Sequence, residues 1–346
     1  MRHSSRRELN PGLSSENDAM MPTNRLFATL ARLANISGVF LVSALFLTPI
    51  LLSQSVQASP ALAATLSHDG YERDYLLYVP ASATVTAAKK PRALVMVLHG
   101  GGGRPSQIEW ATHSEFNKLA DTHGFIVVYP AGIKRGWNDG RGDQLAFPER
   151  AKINDISYLH ALIDQINQQI PIDPKRVFAT GISNGGMMAL RLACESGRFR
   201  AVAPVAASLP KDLAQSCRPA RVSVLLLNGT DDNFVPFNGG FVNGVRKTNE
   251  RGQVISAVDT FELFGKANTC QAPTSHPLRD LKNDDTTISR HEFSDCADGV
   301  RIVQYRIQGG GHTWPGARTR IPKFLVGNSS REINATDEIW RFFSTL

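Results

Sequence analysis

The chain has 346 residues, 42% of them hydrophobic, and carries a formal net charge of +7. That length and apolar content suffice for one large or two modest domains with a packed core, and they exclude a wholly disordered chain. The charge is mild, and no run of lysines or arginines is interleaved with aromatics, so no nucleic-acid partner is expected.

At the N-terminus, Arg25 and Arg32 precede an apolar stretch over residues 36–53, followed by the small-residue patterns Val56-Gln57-Ala58 and Ala61-Leu62-Ala63. This order predicts a secretory signal over residues 1–58. Its basic region is long, which makes Met20 or Met21 an alternative start, and Arg6-Arg7 lies too far upstream for a twin-arginine signal. The apolar run is near the minimum spanning length and is broken by Pro49, so cleavage, with no stable membrane insertion afterwards, is expected over an anchor. No cysteine follows it closely, against a lipoprotein. Removal of residues 1–58 takes away five basic and three acidic side chains and leaves a net charge of +5. Cys194, Cys217, Cys270 and Cys296 all lie beyond the signal. In a secreted or periplasmic protein an even number of cysteines predicts two disulfides. Three pairings are possible, and neighbour pairing, Cys194 with Cys217 and Cys270 with Cys296, is expected. None has C-x-x-C spacing, so no metal site is predicted.

Beyond the signal, residues 71–79 and 93–98 read as strands, the second continuously apolar as in a strand buried on both faces. Residues 114–122 read as a helix and 125–129 as another apolar strand. Ile156, Leu159, Leu162, Ile163, Ile166 and Ile170 have the spacing of an amphipathic helix capped by Asn154 or Asp155. Apolar runs at 176–180, 201–206 and 222–227 continue the strands. Residues 258–264 read as a helix, 300–307 as a late strand and 337–343 as a closing helix. Strands alternating with helices imply crossover units and a mainly parallel sheet, in one catalytic domain over residues 65–346. No internal repeat or low-complexity tract is present.

Between the strand at 176–180 and a helix-prone run beginning at Met187 stand Gly181, Ile182, Ser183, Asn184 and Gly185. A serine at the apex of a strand-to-helix turn is exposed at the C-terminal edge of a sheet, and the residues two before and two after it must be small. The turn also aims the first amides of the following helix at whatever the serine attacks. Such a serine needs a histidine base and an acid to orient it, in the chain order Ser, acid, His. His276 is expected in a polar loop beside Pro277, and His291 lies in the alternating stretch 288–293, where an exposed or paired strand position explains it. His312 follows the late strand directly, in Gly309-Gly310-Gly311-His312-Thr313-Trp314-Pro315-Gly316, and is the predicted base. The acid falls just past the strand at 222–227, where Asp231 and Asp232 compete; they point in different directions, and the residues alone do not choose.

At the end of the strand at 93–98 comes Leu98-His99-Gly100-Gly101-Gly102-Gly103. This glycine run is placed to donate one oxyanion-hole amide, near Gly101, with the other from Asn184. No Lys-Ser or Lys-Thr follows it, which sets a phosphate loop aside. His99 is expected to shape the loop through backbone hydrogen bonds. Trp137 and Trp314 fall on loops at the active edge, where each could stack on an acyl group or a sugar or simply pack.

Taken together, these segments resemble the polyhydroxybutyrate depolymerase-like esterases, the group that also holds bacterial feruloyl and acetylxylan esterases. The resemblance runs through Leu98 to Gly103, Tyr129-Pro130, Gly136-Trp137-Asn138, Asp173-Pro174-Lys175-Arg176-Val177, Gly181 to Met188, Gly229-Thr230-x-Asp232-x-x-Val235-Pro236, and Gly310 to Gly316. It implies an α/β-hydrolase fold, assigns the catalytic acid to Asp232, and supports disulfides near the four cysteines. Polymer-degrading members usually carry a linker and a polymer-binding domain, whereas this chain ends with its catalytic part. They often have Ala or Ser after the nucleophile, where Asn184 stands here. Both departures favour soluble esters, feruloyl or acetyl groups on plant polysaccharide or short hydroxyalkanoate oligomers, over solid polymer. The expected protein is a secreted serine carboxylesterase with the triad Ser183, Asp232 and His312 and no cofactor. The alternatives are a depolymerase acting on polymer, an acyltransferase with the same triad, and a non-catalytic hydrolase-fold binding module.

Overall fold

Ten strands form the central sheet in a computed structural model that describes residues 60–84, 90–142, 152–219, 221–244 and 251–346. The expected signal, with Met20, Met21 and the pattern at 56–58, lies outside the described residues. In chain order the sheet strands are β1 (Leu62–His68), β2 (Tyr71–Tyr78), β3 (Arg92–Leu98), β4 (Ile126–Pro130), β5 (Ile172–Ile182), β6 (Ala201–Val205) and β7 (Ser223–Gly229). The short pair β8 (Gly240–Phe241) and β9 (Gln253–Val254) stands apart, and β10 (Pro273–Pro277), β11 (Thr287–Phe293) and β12 (Ile302–Gln308) complete the main sheet. The spatial order is β1-β2-β4-β3-β5-β6-β7-β12-β11-β10. From β4 to β12 all neighbours are parallel, while β1-β2 and β11-β10 add antiparallel hairpins at the two edges.

The helices are α1 (Ala81–Thr84), α2 (Pro105–Ala111), α3 (Glu115–His123), α4 (Asp155–Gln169), α5 (Asn184–Glu195), α6 (Lys211–Ser216), α7 (Ala257–Ala267), α8 (Lys323–Val326) and α9 (Ala335–Ser344). They cover both faces, which is why β3, β4 and β7 can be apolar almost throughout. The two-residue period of β3 divides its side chains between two cores. Leu94, Met96 and Leu98 join Leu159, Leu162 and Met188 on one face, and Val95 and Val97 join Phe116, Ile339 and Phe343 on the other. This is the predicted α/β-hydrolase architecture.

Several boundaries move. Residue 65, the expected start of the catalytic domain, lies inside β1, so the fold begins at Leu62 or earlier. The second cleavage pattern, Ala61-Leu62-Ala63, is therefore strand: Leu62 pairs with Leu77 and Ala63 with Leu76. His276 sits in β10 opposite Arg290 rather than in a loop. At the start of α4 the choice resolves to Asn154, whose side chain accepts from the Ser157 amide at 3.0 Å, while Asp155 turns inward and pairs with Arg73. The cysteines join as Cys194–Cys217 and Cys270–Cys296. The first ties the end of α5 to the end of α6. Among the described residues no helix is long and apolar enough to cross a membrane.

Candidate active site

The sharp turn between β5 and α5 puts Ser183 at the N-terminus of the helix, half-buried, with φ 57° and ψ −123°. A non-glycine residue in that region carries a backbone cost of about 1–3 kcal/mol, sustained only where its surroundings over-determine it. Here they do. The Ser183 amide donates to Val205 O at 2.9 Å, and its carbonyl accepts from Met187 N at 2.8 Å. A Cβ on Gly185 would come within 2.5 Å of the Leu98 and His99 carbonyls, so the elbow packs directly on the end of β3. The Asn184 amide is among the first N–H groups of α5, which have no partner within the helix.

Asp232 and His312 meet across the ends of β7 and β12. His312 Nδ1 lies 2.7 Å from Asp232 Oδ2, with the carboxylate 2% and the imidazole 12% exposed. The other oxygen, Oδ1, accepts from the Phe234 and Val235 amides at 2.8 Å each, so the carboxylate is held on both sides. Asp231 is exposed, accepts from the Thr230 hydroxyl at 2.8 Å, and shapes the turn. The loop carrying His312 is pinned by backbone: Gly311 N donates to Asn328 O and His312 N to Val326 O. A Cβ on Gly311 would fall on the Val326 carbonyl, and one on Gly229 on the Gly310 carbonyl. Ser183 and His312 line one cavity of about 490 Å³, together with Gly100, Gly101 and Asn184. His276 and His291 lie on the antiparallel hairpin at the far edge and are absent from that lining.

The glycine loop is braced from behind. Gly132 N donates to His99 Nε2 at 3.0 Å, so the proton is on Nδ1, which donates to Gly100 O at 2.8 Å. His99 therefore shapes the loop, as expected. The Gly102 amide donates to Arg135 O and the Gly103 amide to Gly100 O, which leaves the amides of Gly100 and Gly101 as the loop's candidate oxyanion donors.

These features, a serine elbow, an Asp–His pair at neighbouring strand ends and a glycine loop, coincide with what the chain resembles. Residues 79–244 match the phospholipase/carboxylesterase family profile. A putative esterase, NocK, of Nocardia uniformis subsp. tsuyamanensis is 32% identical over 280 residues, covering 78% of both chains. The chain belongs to the carboxylesterase family of α/β-hydrolases. Feruloyl esterase B of Piromyces equi is 30% identical over 64% of this chain, which spans only 40% of that protein. An acetyl xylan esterase structure from Aspergillus awamori matches 82% of this chain and 100% of its own, with a TM-score of 0.52 and 14% identity, a likeness of fold.

At this carboxylesterase's site both tryptophans take the packing alternative, and the reading of Asn184 needs correction. Trp137 does not offer a stacking face: it is fully buried, and its Nε1 donates to His99 O at 2.9 Å. It props the glycine loop. Trp314 does line the cavity, but at 3% exposure it is packed edge-on against Phe116 and donates to Thr336 Oγ1, so it builds the wall. The Asn184 side chain is engaged by protein groups alone among the described contacts. Its Oδ1 accepts from Trp137 N at 2.8 Å, and its Nδ2 donates to Trp137 O at 3.0 Å and to Asp139 Oδ2 at 2.6 Å. It is a strut, and its difference from Ala or Ser therefore says nothing direct about polymer against soluble substrate.

Behind the strut lies a buried polar network that local sequence does not announce. Arg141 grips Asp139 through Nε and Nη2 and donates through Nη1 to Arg251 O. Asn138 N donates to Asp155 Oδ2, and Arg73 donates to Asp155 Oδ1 and Ala131 O. Burial pushes the Asp155 carboxyl up from its ordinary value, and Arg73 opposes that shift. Among the described residues no group of three or more His, Cys, Asp or Glu side chains could hold a metal ion.

Proposed function

We propose that this carboxylesterase works through an acyl-enzyme on Ser183, with His312 as base and Asp232 as its orienting acid. The observation that carries the reading is the 2.7 Å His312–Asp232 contact at one end of a cavity that Ser183 also lines. Nδ1 donates to the carboxylate, so Nε2 is the nitrogen that takes the serine proton and returns it to the leaving alcohol. The amides of Asn184 and Gly101 receive the oxyanion; both residues line the cavity. Soluble esters are the substrate class, feruloyl or acetyl groups on plant polysaccharide or short hydroxyalkanoate oligomers, supported by relatives that are named feruloyl esterase and acetylxylan esterase. Residues 1–58 serve as a secretory signal, and the chain from there onward is the catalytic domain. Two disulfides favour an oxidising destination outside the cytoplasm, and the pairing of Leu62 and Ala63 in β1 favours cleavage after Ala58.

Fluorophosphonate labelling tests the mechanism: the protein should label, Ser183→Ala should not, and failure of the intact protein either to label or to cleave 4-nitrophenyl acetate would refute it. A panel of feruloyl, acetyl-xylan and hydroxybutyrate-oligomer esters then ranks the substrates. N-terminal sequencing of the exported protein checks the processing site.

A further inference from the structure

We infer that the cleft recognises esters carrying a carboxylate near the scissile bond, with Arg251 and Arg318 as the anion-binding side chains. This rests on the proposed roles of Ser183 and His312 and narrows the substrate class. Three arginines, Arg141, Arg251 and Arg318, line the same cavity as those two residues, and no described lining residue is Asp or Glu. Arg141 is spent: its guanidinium is shared between the Asp139 carboxylate and the Arg251 carbonyl, so its charge is matched. The other two make no ion pair among the described residues.

They approach from different segments. Arg251 is fixed at its backbone by Arg141, and its guanidinium lies over Gly244, where an added Cβ would come within 2.7 Å of Cζ. The missing side chain at Gly244 makes the space that the guanidinium fills. Arg318 belongs to the loop that follows His312. Its amide donates to Ala111 O at 2.9 Å, and its guanidinium stands 5.9 Å from the centre of the exposed Trp110 ring. Two positive charges with no ion-pair partner among the described residues, Arg251 half-buried and Arg318 exposed at the mouth, give this largely apolar cleft a positive potential that draws anions in and that added salt weakens. The guanidinium fork fits a carboxylate through paired hydrogen bonds. A hydroxyalkanoate oligomer ends in such a carboxylate; an acetyl group on a neutral sugar has none nearby. Within the proposed substrates, the cleft thus selects the carboxylate-terminated oligomers.

The test compares 4-nitrophenyl acetate with mono-4-nitrophenyl glutarate at low and high ionic strength. For the unmodified protein, kcat/KM on the anionic ester should fall as salt rises while that on the acetate changes little. Replacing both arginines, R251Q with R318Q, should lower kcat/KM for the anionic ester about tenfold more than for the acetate. R251K with R318K, which keeps both charges, should retain much of the preference. A hydroxybutyrate dimer should likewise be cleaved faster as its free acid than as its terminal amide. The inference is overturned if the anionic ester's rate does not depend on salt, or if both esters lose activity in parallel in the Gln variant. A protein that cleaves acetate readily but shows neither effect loses only this inference, whereas one that cleaves neither ester refutes the catalytic reading beneath it. Should the Gln variant fail to fold, judged by thermal unfolding, the salt dependence of the unmodified protein decides.

Discussion

The cleft has two unlike walls. The inner wall, made of Trp137, Asn184, Asp139 and Arg141 behind the glycine loop, is buried and held by polar contacts that cross between the end of β3, α5 and the loop at 131–142. The outer rim, residues 317–324, is open: Ile321 is 51% and Phe324 81% exposed, and α8, which it enters, is a single turn. A buried polar group left without its partner costs far more than an exposed contact returns, so the inner wall tolerates little change and the rim much. On the proposed reading, chemistry is placed where the structure resists change, and substrate fit where it does not.

The largest effects should break the inner side. Ser183→Ala and His312→Ala should each lower kcat/KM on 4-nitrophenyl acetate by roughly 10⁴–10⁶-fold, with thermal unfolding nearly unchanged. Asp232→Asn should lower it about 10⁴-fold, while Asp231→Asn, one residue away but exposed, should stay near the unmodified rate; equal losses would remove the assignment of the acid. Asn184→Ala keeps the proposed oxyanion amide but removes three hydrogen bonds, and should cost about 1–3 kcal/mol in urea unfolding together with a fall in kcat. Cys194→Ser with Cys217→Ser, which releases α5 from α6, should cost about 3 kcal/mol by the same measurement. At the rim, Phe324→Ser should change stability by no more than about 0.5 kcal/mol. A large loss there would mean that the rim, too, is structural.

What the sequence discloses follows the same division. The apolar runs of β3, β4 and β7, the elbow at Ser183 and the glycines before His312 are local patterns, and they appear in the structure within a residue or two of where they are expected. β1 was hidden because its first residues, Leu62 and Ala63, double as a cleavage pattern. β10, Pro-Thr-Ser-His-Pro, was hidden because it is an exposed edge strand with two prolines and no buried face to impose alternation. The residues alone did not choose between Asp231 and Asp232, which share one turn; the family pattern pointed to Asp232, and in the fold it is Asp232 that lies against His312. The strut role of Asn184 depends on a partner 47 residues away, Trp137, and no spacing rule connects the two. Long-range polar pairing of this kind is legible only once the sheet has brought its members together.

At Gly229 the main chain leading to Asp232 packs directly on the Gly310–Gly311 backbone of the His312 loop, and at Gly311 that loop packs in turn on the Val326 carbonyl, with no side chain between. The registration of those loops is thus independent of how the cleft is decorated. For directed evolution this divides the carboxylesterase into a fixed chassis and a variable face: libraries spanning residues 317–324 can sample new acyl and alcohol preferences, while glycine positions 229 and 311 are best left unsampled.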